Sequence, residues 1–197
     1  MAKDTKERLL EAALVIFARD GYAGTNIKDI AESVGIVKSA LYRHFDSKEA
    51  IWDAVIDRMI AYYEDHVGSK DRLPSIPQST DDLFELTMTM VNFTVHDKKI
   101  VQIRKIFQVE QFRDEKAREC ANKYFLYGTE DMFTKIFSAM MANGTIKKCD
   151  PRILAFSYTA PITVLIHLCD RDPDKEPEAM DRMEKFIRNF IEEYKEA

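Results

Sequence analysis

The stretch IKDIAESVGIVKSALYRHFDSKEAI, residues 27–51, decides how this chain folds. Its first apolar residues follow the i, i+3, i+4, i+7 spacing of an amphipathic helix: Ile27, Ile30, Ala31 and Val34. Gly35 then interrupts the pattern, and a second short helix is predicted for residues 37–45. Two helices joined by a short glycine turn describe a helix-turn-helix, whose second helix enters the major groove of DNA.

The predicted second helix has two different sides when its residues are placed at 100° per residue. The inward side is predicted to carry Val37, Ala40, Leu41, His44 and Phe45, and the outward side Lys38, Ser39, Tyr42 and Arg43. Lysine and arginine reach the acceptors of guanine, and hydroxyl groups suit phosphates or base edges. Many helical bundles also contain two short helices around a glycine, with a polar face that is only solvated. The spacing alone leaves both interpretations open.

Composition limits the possible classes of protein. The chain has 197 residues, of which 46% are hydrophobic and 32% charged, with only six Gly and six Pro, so long helices and a buried core are expected. The formal charge of -5 excludes a globally basic nucleic-acid binder. Residues 1–50 carry eight Lys or Arg and eight Asp or Glu, so the surplus acid lies in residues 51–197. A local cationic patch near the N-terminus is therefore permitted.

The expected location is the cytoplasm. The three cysteines are scattered, which is typical of a reducing compartment, and the first ten residues contain no apolar signal core. Residues 153–169 run without a charged side chain, but a membrane span needs roughly 20 predominantly apolar residues. This run is shorter and contains polar residues, so a buried helix of a soluble protein is predicted.

The pattern along the chain predicts an all-α architecture. A small N-terminal bundle at residues 1–47 is followed by a bridging helix at 48–67, a loop at 68–80 and a larger bundle at 81–197. The helices predicted in the larger bundle are 81–96, 99–112, 114–142, 151–169 and 175–195. Asp150 followed by Pro151 is a helix start signal, an N-cap with proline at the first helical position.

The first 60 residues resemble the tetracycline-repressor (TetR) family of bacterial transcription regulators. The matching elements are RLLEAALVIFARDGYAGTNIKDIAESVGI, LYRHF and SKEAIW, in that order and with the family's spacing. The resemblance implies a helix-turn-helix domain, a bridging helix and a C-terminal bundle for ligand binding and dimerisation. It also implies a homodimeric repressor that binds a palindromic operator in double-stranded DNA and is released by a small hydrophobic ligand, with no cofactor.

The resemblance assigns roles to eight residues of the N-terminal domain. The positions that match phosphate contacts are Thr25, Tyr42, His44 and Lys48. The positions that match base-reading residues are Lys28, Lys38, Ser39 and Arg43. Two positions depart from the family pattern, because Val37 and Ala40 stand where many members have Ser or Thr. Valine is a poor N-cap, so the start of the recognition helix is expected to be weakly tied.

The last two helices are expected to form a two-fold interface with a second copy, as the resemblance implies. The residues predicted for that interface are Tyr158, Ile162, Leu165, Ile166, Cys169, Met183, Ile187 and Phe190. The alternative is that these side chains form the core of their own chain.

Methionine and aromatic residues are frequent in the helices between residues 81 and 142. Such a set is more often core than a binding site, but adaptable apolar walls with a few polar groups also make ligand pockets. The residues predicted to line a pocket are Tyr62, Phe84, Met88, Phe107, Tyr124, Tyr127 and Tyr158.

Catalysis and metal binding have little support in the sequence. The chain contains no GxxxxGK, HExxH or GxSxG motif. His167 and Cys169 are two residues apart, so they point to different faces of a helix and suit a metal poorly. An enzyme is therefore not expected. The alternative to a ligand-responsive regulator is a DNA-binding regulator that a protein partner controls or that has no effector.

Overall fold

The computed structural model describes residues 2–66 and 75–196, with the side chains described from residue 5 onward. The helices of the N-terminal half are α1 (Ala2–Gly24), α2 (Ile27–Ser33), α3 (Lys38–Leu41), α4 (Lys48–His66) and α5 (Thr80–His96). They are followed by α6 (Lys98–Glu110), α7 (Glu115–Asn122), α8 (Gly128–Ala142), α9 (Pro151–Arg171) and α10 (Glu176–Tyr194). A π-helical segment, Lys123–Tyr127, joins α7 to α8, and a 3₁₀ turn, Pro173–Lys175, precedes α10. The predicted all-α fold is confirmed.

The chain divides into two compact units. The first comprises the described residues up to His66 together with Gln102–Ala121. The second comprises the described residues 75–101 and those from Asn122 onward. The sequence did not indicate that Gln102–Ala121 belong with the N-terminal helices. Most of the loop predicted at 68–80 lies outside the described residues.

The core of the first unit includes the apolar faces of α1, α2, α3 and α4. Its fully buried members include Leu9, Phe17, Ile30, Leu41 and Ile51. The periodic spacing seen in the sequence accounts for this packing, because each helix presents one apolar stripe. On the polar edge, Arg58 of α4 pairs with Glu7 and Glu11 of α1.

The core of the second unit forms where α8 and α9 pack together with α5 and α10. Asp150 caps α9 as predicted, since its carboxylate accepts from the N–H groups of Arg152 and Ile153 at 2.9 and 3.1 Å. Ser79 and Asp82 form a reciprocal capping box at the start of α5. By length and apolar composition α9 could cross a membrane, but its inward residues form the core of this unit, and core helices pass the same test.

The π-helical segment explains the interruption that the sequence suggested near Gly128. A Cβ at Gly128 would lie 2.6 Å from the backbone carbonyl oxygen of Lys123. Only glycine permits this approach, so the residue is fixed by the wide turn that precedes α8.

Candidate nucleic-acid interface

The helix-turn-helix is formed by α2, the turn at Gly35 and α3. Asn26 caps α2, with its side-chain oxygen accepting from the Lys28 N–H at 2.9 Å. Gly35 has a φ of 77°, which makes the turn. Val37 precedes α3 and makes no side-chain cap hydrogen bond, as expected from its apolar side chain.

The second helix is shorter than the predicted 37–45. Only Lys38–Leu41 are α-helical, and the chain then tightens into turns in which the N–H groups of Arg43 and His44 donate to the carbonyls of Ala40 and Leu41. An uncapped start and an i to i+3 end are consistent with a helix that few local interactions stabilise.

The two sides of this helix are largely arranged as predicted. Leu41 and Phe45 are buried against the first unit's core, whereas Lys38, Ser39, Tyr42 and Arg43 are exposed. Val37 departs from the expectation, since it is 67% exposed rather than packed inward. The four outward side chains therefore form one polar surface with two cations and two hydroxyl groups.

The remaining predicted cations have identified neighbours. Lys28 lies 3.5 Å from Glu32 one turn along α2. The Nζ of Lys38 lies 5.9 Å from the centroid of the Tyr42 ring, and the Nζ of Lys48 lies 4.5 Å from the centroid of the Tyr22 ring. Both distances allow cation–π attraction, which leaves the ammonium N–H groups available to an anion.

Thr25 and His44 are less accessible than the other predicted DNA-contacting residues. Thr25 is 4% exposed, and its hydroxyl donates to the carbonyl oxygen of Gly21 at 2.7 Å. Because its proton is already donated within the turn, Thr25 serves the geometry between α1 and α2 and is not a free donor for phosphate. Its predicted phosphate contact stays a prediction. His44 is half-buried in the turn that follows α3.

Sequence reasoning missed the residues that support Lys48. Tyr22 lies beneath Lys48, and its ring packs edge-on against Trp52 with centroids 5.3 Å apart. Burial, followed by a hydrogen bond to Glu49, raises the pKa of Tyr22 to about 12. Glu110 accepts a hydrogen bond from the Tyr22 backbone N–H at 2.7 Å. Glu110 is 88 positions from Tyr22 in sequence, so no local pattern could have revealed this contact.

The residues predicted to bind a ligand are divided between the two units. Tyr62 and Phe107 belong to the first unit, while the other five belong to the second. Tyr158 lies in the second unit's core, with Phe84 and Met88 packed against that core. Tyr124 is buried in the π-helical segment, and Tyr127 in the same segment is 54% exposed.

One polar pair inside the second unit was also missed. The hydroxyl groups of Thr87 and Tyr158 are 2.8 Å apart, and Thr87 also donates to the Leu83 carbonyl oxygen at 2.8 Å. Tyr158 is therefore the donor to Thr87. The pair lies among aromatic rings, since the Phe133, Phe137 and Phe190 centroids are 5.1, 5.3 and 4.6 Å from that of Tyr158.

Most residues predicted for the dimer interface are buried within their own unit. Seven of the eight are buried within their own unit: Tyr158, Ile162, Leu165, Ile166, Cys169, Met183 and Ile187. The eighth, Phe190, is partly buried against the same core. The inward faces of α9 and α10 thus contribute to the core of the second unit, and the prediction that they meet a second copy stays a prediction. The outward face of α9 is itself apolar, with Ile153, Phe156 and Val164 exposed at 65%, 51% and 62%.

Comparison with known proteins matches residues 9–55 to the family described as bacterial regulatory proteins, tetR family. The biofilm operon icaADBC HTH-type negative transcriptional regulator IcaR of Staphylococcus epidermidis is 37% identical over 60 residues, or 30% of this chain and 32% of that protein. The regulator of the same name from Staphylococcus aureus strain Newman is 46% identical over 48 residues, or 24% of this chain and 26% of that protein. The matched part of the chain thus spans less than a third of the length of these curated relatives.

Solved structures resemble the chain over nearly its whole length. A TetR transcriptional regulator from Chloroflexus aurantiacus superposes with a TM-score of 0.70 at 20% identity, covering 99% of this chain and 98% of that one. SmeT, the repressor of the Stenotrophomonas maltophilia multidrug efflux pump SmeDEF, has a TM-score of 0.66 at 18% identity, covering 97% and 90%. At these identities the likeness establishes the fold. Residues 9–55 therefore match the family described as bacterial regulatory proteins, tetR family, and the chain shares the fold of TetR-family regulators along nearly its whole length.

Proposed function

We propose that the chain is a cytoplasmic repressor of transcription that binds a palindromic operator as a homodimer and is released by a small hydrophobic ligand. The observation that carries the proposal is the outward surface of residues 38–43, where Lys38, Ser39, Tyr42 and Arg43 are exposed together. The relatives support repression, since IcaR is named a negative regulator and SmeT a repressor. The relatives are regulators, so no enzymatic activity and no cofactor are proposed.

Two kinds of contact to DNA are proposed, one to base edges and one to phosphates. Arg43 is the proposed base reader, because a guanidinium binds the O6 and N7 acceptors of guanine in a fixed geometry. Lys38 and Ser39 are placed to assist it, and Lys28 lies at the start of α2. Lys48 is the proposed phosphate contact at the first position of α4, where free backbone N–H groups also favour an anion. Tyr42 and His44 are the further phosphate contacts.

Dimerisation is proposed through the outward face of α9. Ile153, Phe156, Ala160 and Val164 are spaced i, i+3, i+7, i+11, which places them on one side of a helix. In a two-fold dimer this face would meet its own copy. The outward face of α10 is charged instead and carries ion pairs one turn apart, including Lys185 with Asp181 and Arg188 with Glu184.

The effector is proposed to bind in the second unit near Thr87 and Tyr158. The hydroxyl pair is surrounded by aromatic rings, with Met88 and Phe84 alongside. Apolar side chains of this kind make no hydrogen bonds, and the two hydroxyl groups supply them. This combination suits a largely apolar molecule with a single hydrogen-bonding group.

The same packing favours a second candidate. Tyr158 and Phe137 are fully buried, and their rings already contact one another. A core filled in this way suits a DNA-binding regulator that a protein partner controls in place of a small molecule.

The experiment compares Lys48→Ala with Arg43→Ala in titrations against matched and scrambled duplexes at several salt concentrations. Loss of one phosphate contact should weaken binding to both duplexes and flatten the plot of log affinity against log salt by about one unit. Loss of a base reader should cost about 1–3 kcal/mol on the matched duplex only. Two variants that behave like the parent would refute the assignment of the recognition surface.

A screen for apolar compounds that raise the melting temperature separates the two candidates. A compound that binds the free protein should lower operator affinity by the same factor that DNA lowers compound affinity. Met88→Trp should abolish that response and leave operator binding intact. Compounds that bind without changing operator affinity would favour the second candidate, a regulator that a protein partner controls.

A further inference from the structure

Glu110 occupies an unfavourable position for a carboxylate. It is the last residue of α6, where the helix dipole disfavours negative charge, and it is only 3% exposed. A buried charge is costly unless hydrogen bonds compensate it. The compensation here includes the Tyr22 backbone N–H, which donates to Oε1 at 2.7 Å.

The sequence at the end of α1 is fitted to this carboxylate. Gly21 breaks the helix with a φ of 70° and a ψ of 172°, and a Cβ at that position would lie 2.8 Å from Oε1 of Glu110. Only glycine adopts this backbone conformation readily, and only glycine leaves room for the oxygen. The break at Gly21 thus exposes the Tyr22 N–H to Glu110.

Tyr22 connects that hydrogen bond to the proposed phosphate contact. Its backbone is held by Glu110, and its ring lies under the ammonium of Lys48 at 4.5 Å. The position of Tyr22 therefore sets where the Lys48 side chain lies on the protein surface and in which direction it points.

Two further contacts join the segment after α6 to α4. Asp114 accepts from the indole N–H of Trp52 at 3.3 Å while capping α7 through the Ala117 N–H at 2.7 Å. Lys116 lies 2.8 Å from Asp57. Glu110 is therefore part of a segment that contacts α4 at several points. Within this segment, Glu110 is the residue that binds Tyr22, which lies beneath Lys48.

We infer that Glu110 is a positioning residue for DNA binding, which acts through Tyr22 to hold Lys48 over the phosphate backbone. This inference rests on the proposed DNA-binding function. The carbonyl of glutamine could accept the same hydrogen bond, so the role depends on the acceptor oxygen at this position and not on its negative charge.

The test measures salt-dependent binding to a non-specific duplex for Glu110→Ala, Glu110→Gln and Tyr22→Leu. Glu110→Ala and Tyr22→Leu should each weaken binding about three- to tenfold and lower the salt slope by about one unit, as the loss of one phosphate contact does. Glu110→Gln should stay close to the parent. Adding Glu110→Ala to Lys48→Ala should weaken binding no further, because the two changes remove one contact. Glu119→Ala, an exposed carboxylate on α7, is the matched control.

Fluorescence of Trp52, the single tryptophan, shows whether each variant keeps the first unit folded. A structural role alone would lower stability but leave the salt slope unchanged and make the double variant additive, and either result overturns the inference. A failure of the proposed function looks different, because the parent itself would then bind DNA without a salt slope that Lys48→Ala reduces. If Glu110→Ala unfolds the unit, Tyr22→Leu and Glu110→Gln decide the matter by the same slopes.

Discussion

Replacing Gly21 with alanine would place a methyl group where the carboxylate of Glu110 now lies. The φ of 70° and ψ of 172° belong to a region that residues with a Cβ occupy at a cost of about 1–3 kcal/mol. The new Cβ would also lie 2.8 Å from Oε1, so the carboxylate must move away from the Tyr22 N–H. Loss of a hydrogen bond to a charged group costs about 1.5–3 kcal/mol. The two effects together predict a loss of about 2.5–6 kcal/mol from the free energy of unfolding of the first unit.

Gly35→Ala provides the matched control within the same unit. Gly35 also has a positive φ, 77°, but a Cβ there would meet no atom within 4 Å. Its substitution should therefore cost only the backbone strain, about 1–2 kcal/mol. The difference between the two variants isolates the displacement of Glu110.

The assay is urea-induced unfolding followed by the fluorescence of Trp52, which lies in the first unit and is the chain's only tryptophan. We expect Gly21→Ala to shift the midpoint well beyond the shift in Gly35→Ala, with similar slopes for both. Equal destabilisation of the two variants would refute the claim that Gly21 makes room for Glu110.

Three further predictions follow from the burial and protonation of particular residues. Val164→Arg should give a folded monomer by sedimentation and circular dichroism, because Val164 is 62% exposed. Leu165→Arg should instead unfold the second unit, because Leu165 is 7% exposed. A folded dimer of Val164→Arg would remove α9 from the proposed interface. Thr87→Val should destabilise the second unit by about 1–3 kcal/mol by leaving the Tyr158 hydroxyl unpaired, and Thr87→Val with Tyr158→Phe should cost less in thermal unfolding; a larger cost for the double variant contradicts the pairing. The folded protein holds the Tyr22 proton more tightly than the unfolded chain, since its pKa is raised from 10.0 to about 12, so that contribution to stability is present below pH 10 and is lost between pH 10 and about 12. Tyr22→Phe should flatten the fall in unfolding free energy over that range, and identical curves for parent and variant would contradict the shift.

The helix-turn-helix was predictable from sequence because its signals are local. The apolar spacing of α2, the glycine at position 35 and the outward side chains of residues 38–43 all lie within one continuous stretch, residues 27–43. The start of α9 at Asp150 and Pro151 was predictable for the same reason. The length of α3 was not, since a short helix without a capping side chain has no local signal for its end.

The exposed face of α9 and the support of Lys48 could not be predicted in the same way. Helix α9 is apolar on both faces, so periodicity could not tell the core residues Leu154 and Leu165 from the exposed Ile153 and Val164. Glu110 gave no signal either, because its partner is 88 positions away and charged residues are ordinarily exposed. Contacts of this kind depend on how the helices of a unit pack.

Selection of bound duplexes from a random library tests the central claim most directly. We predict enrichment of a two-fold symmetric sequence whose half-sites lie about one helical turn apart, roughly 34–36 Å. We further predict that Arg43→Ala loses the preference at particular base pairs of each half-site, while Lys48→Ala keeps the same preferences at lower affinity. Absence of any enriched sequence, or an enriched sequence that Arg43→Ala leaves unchanged, would contradict the account.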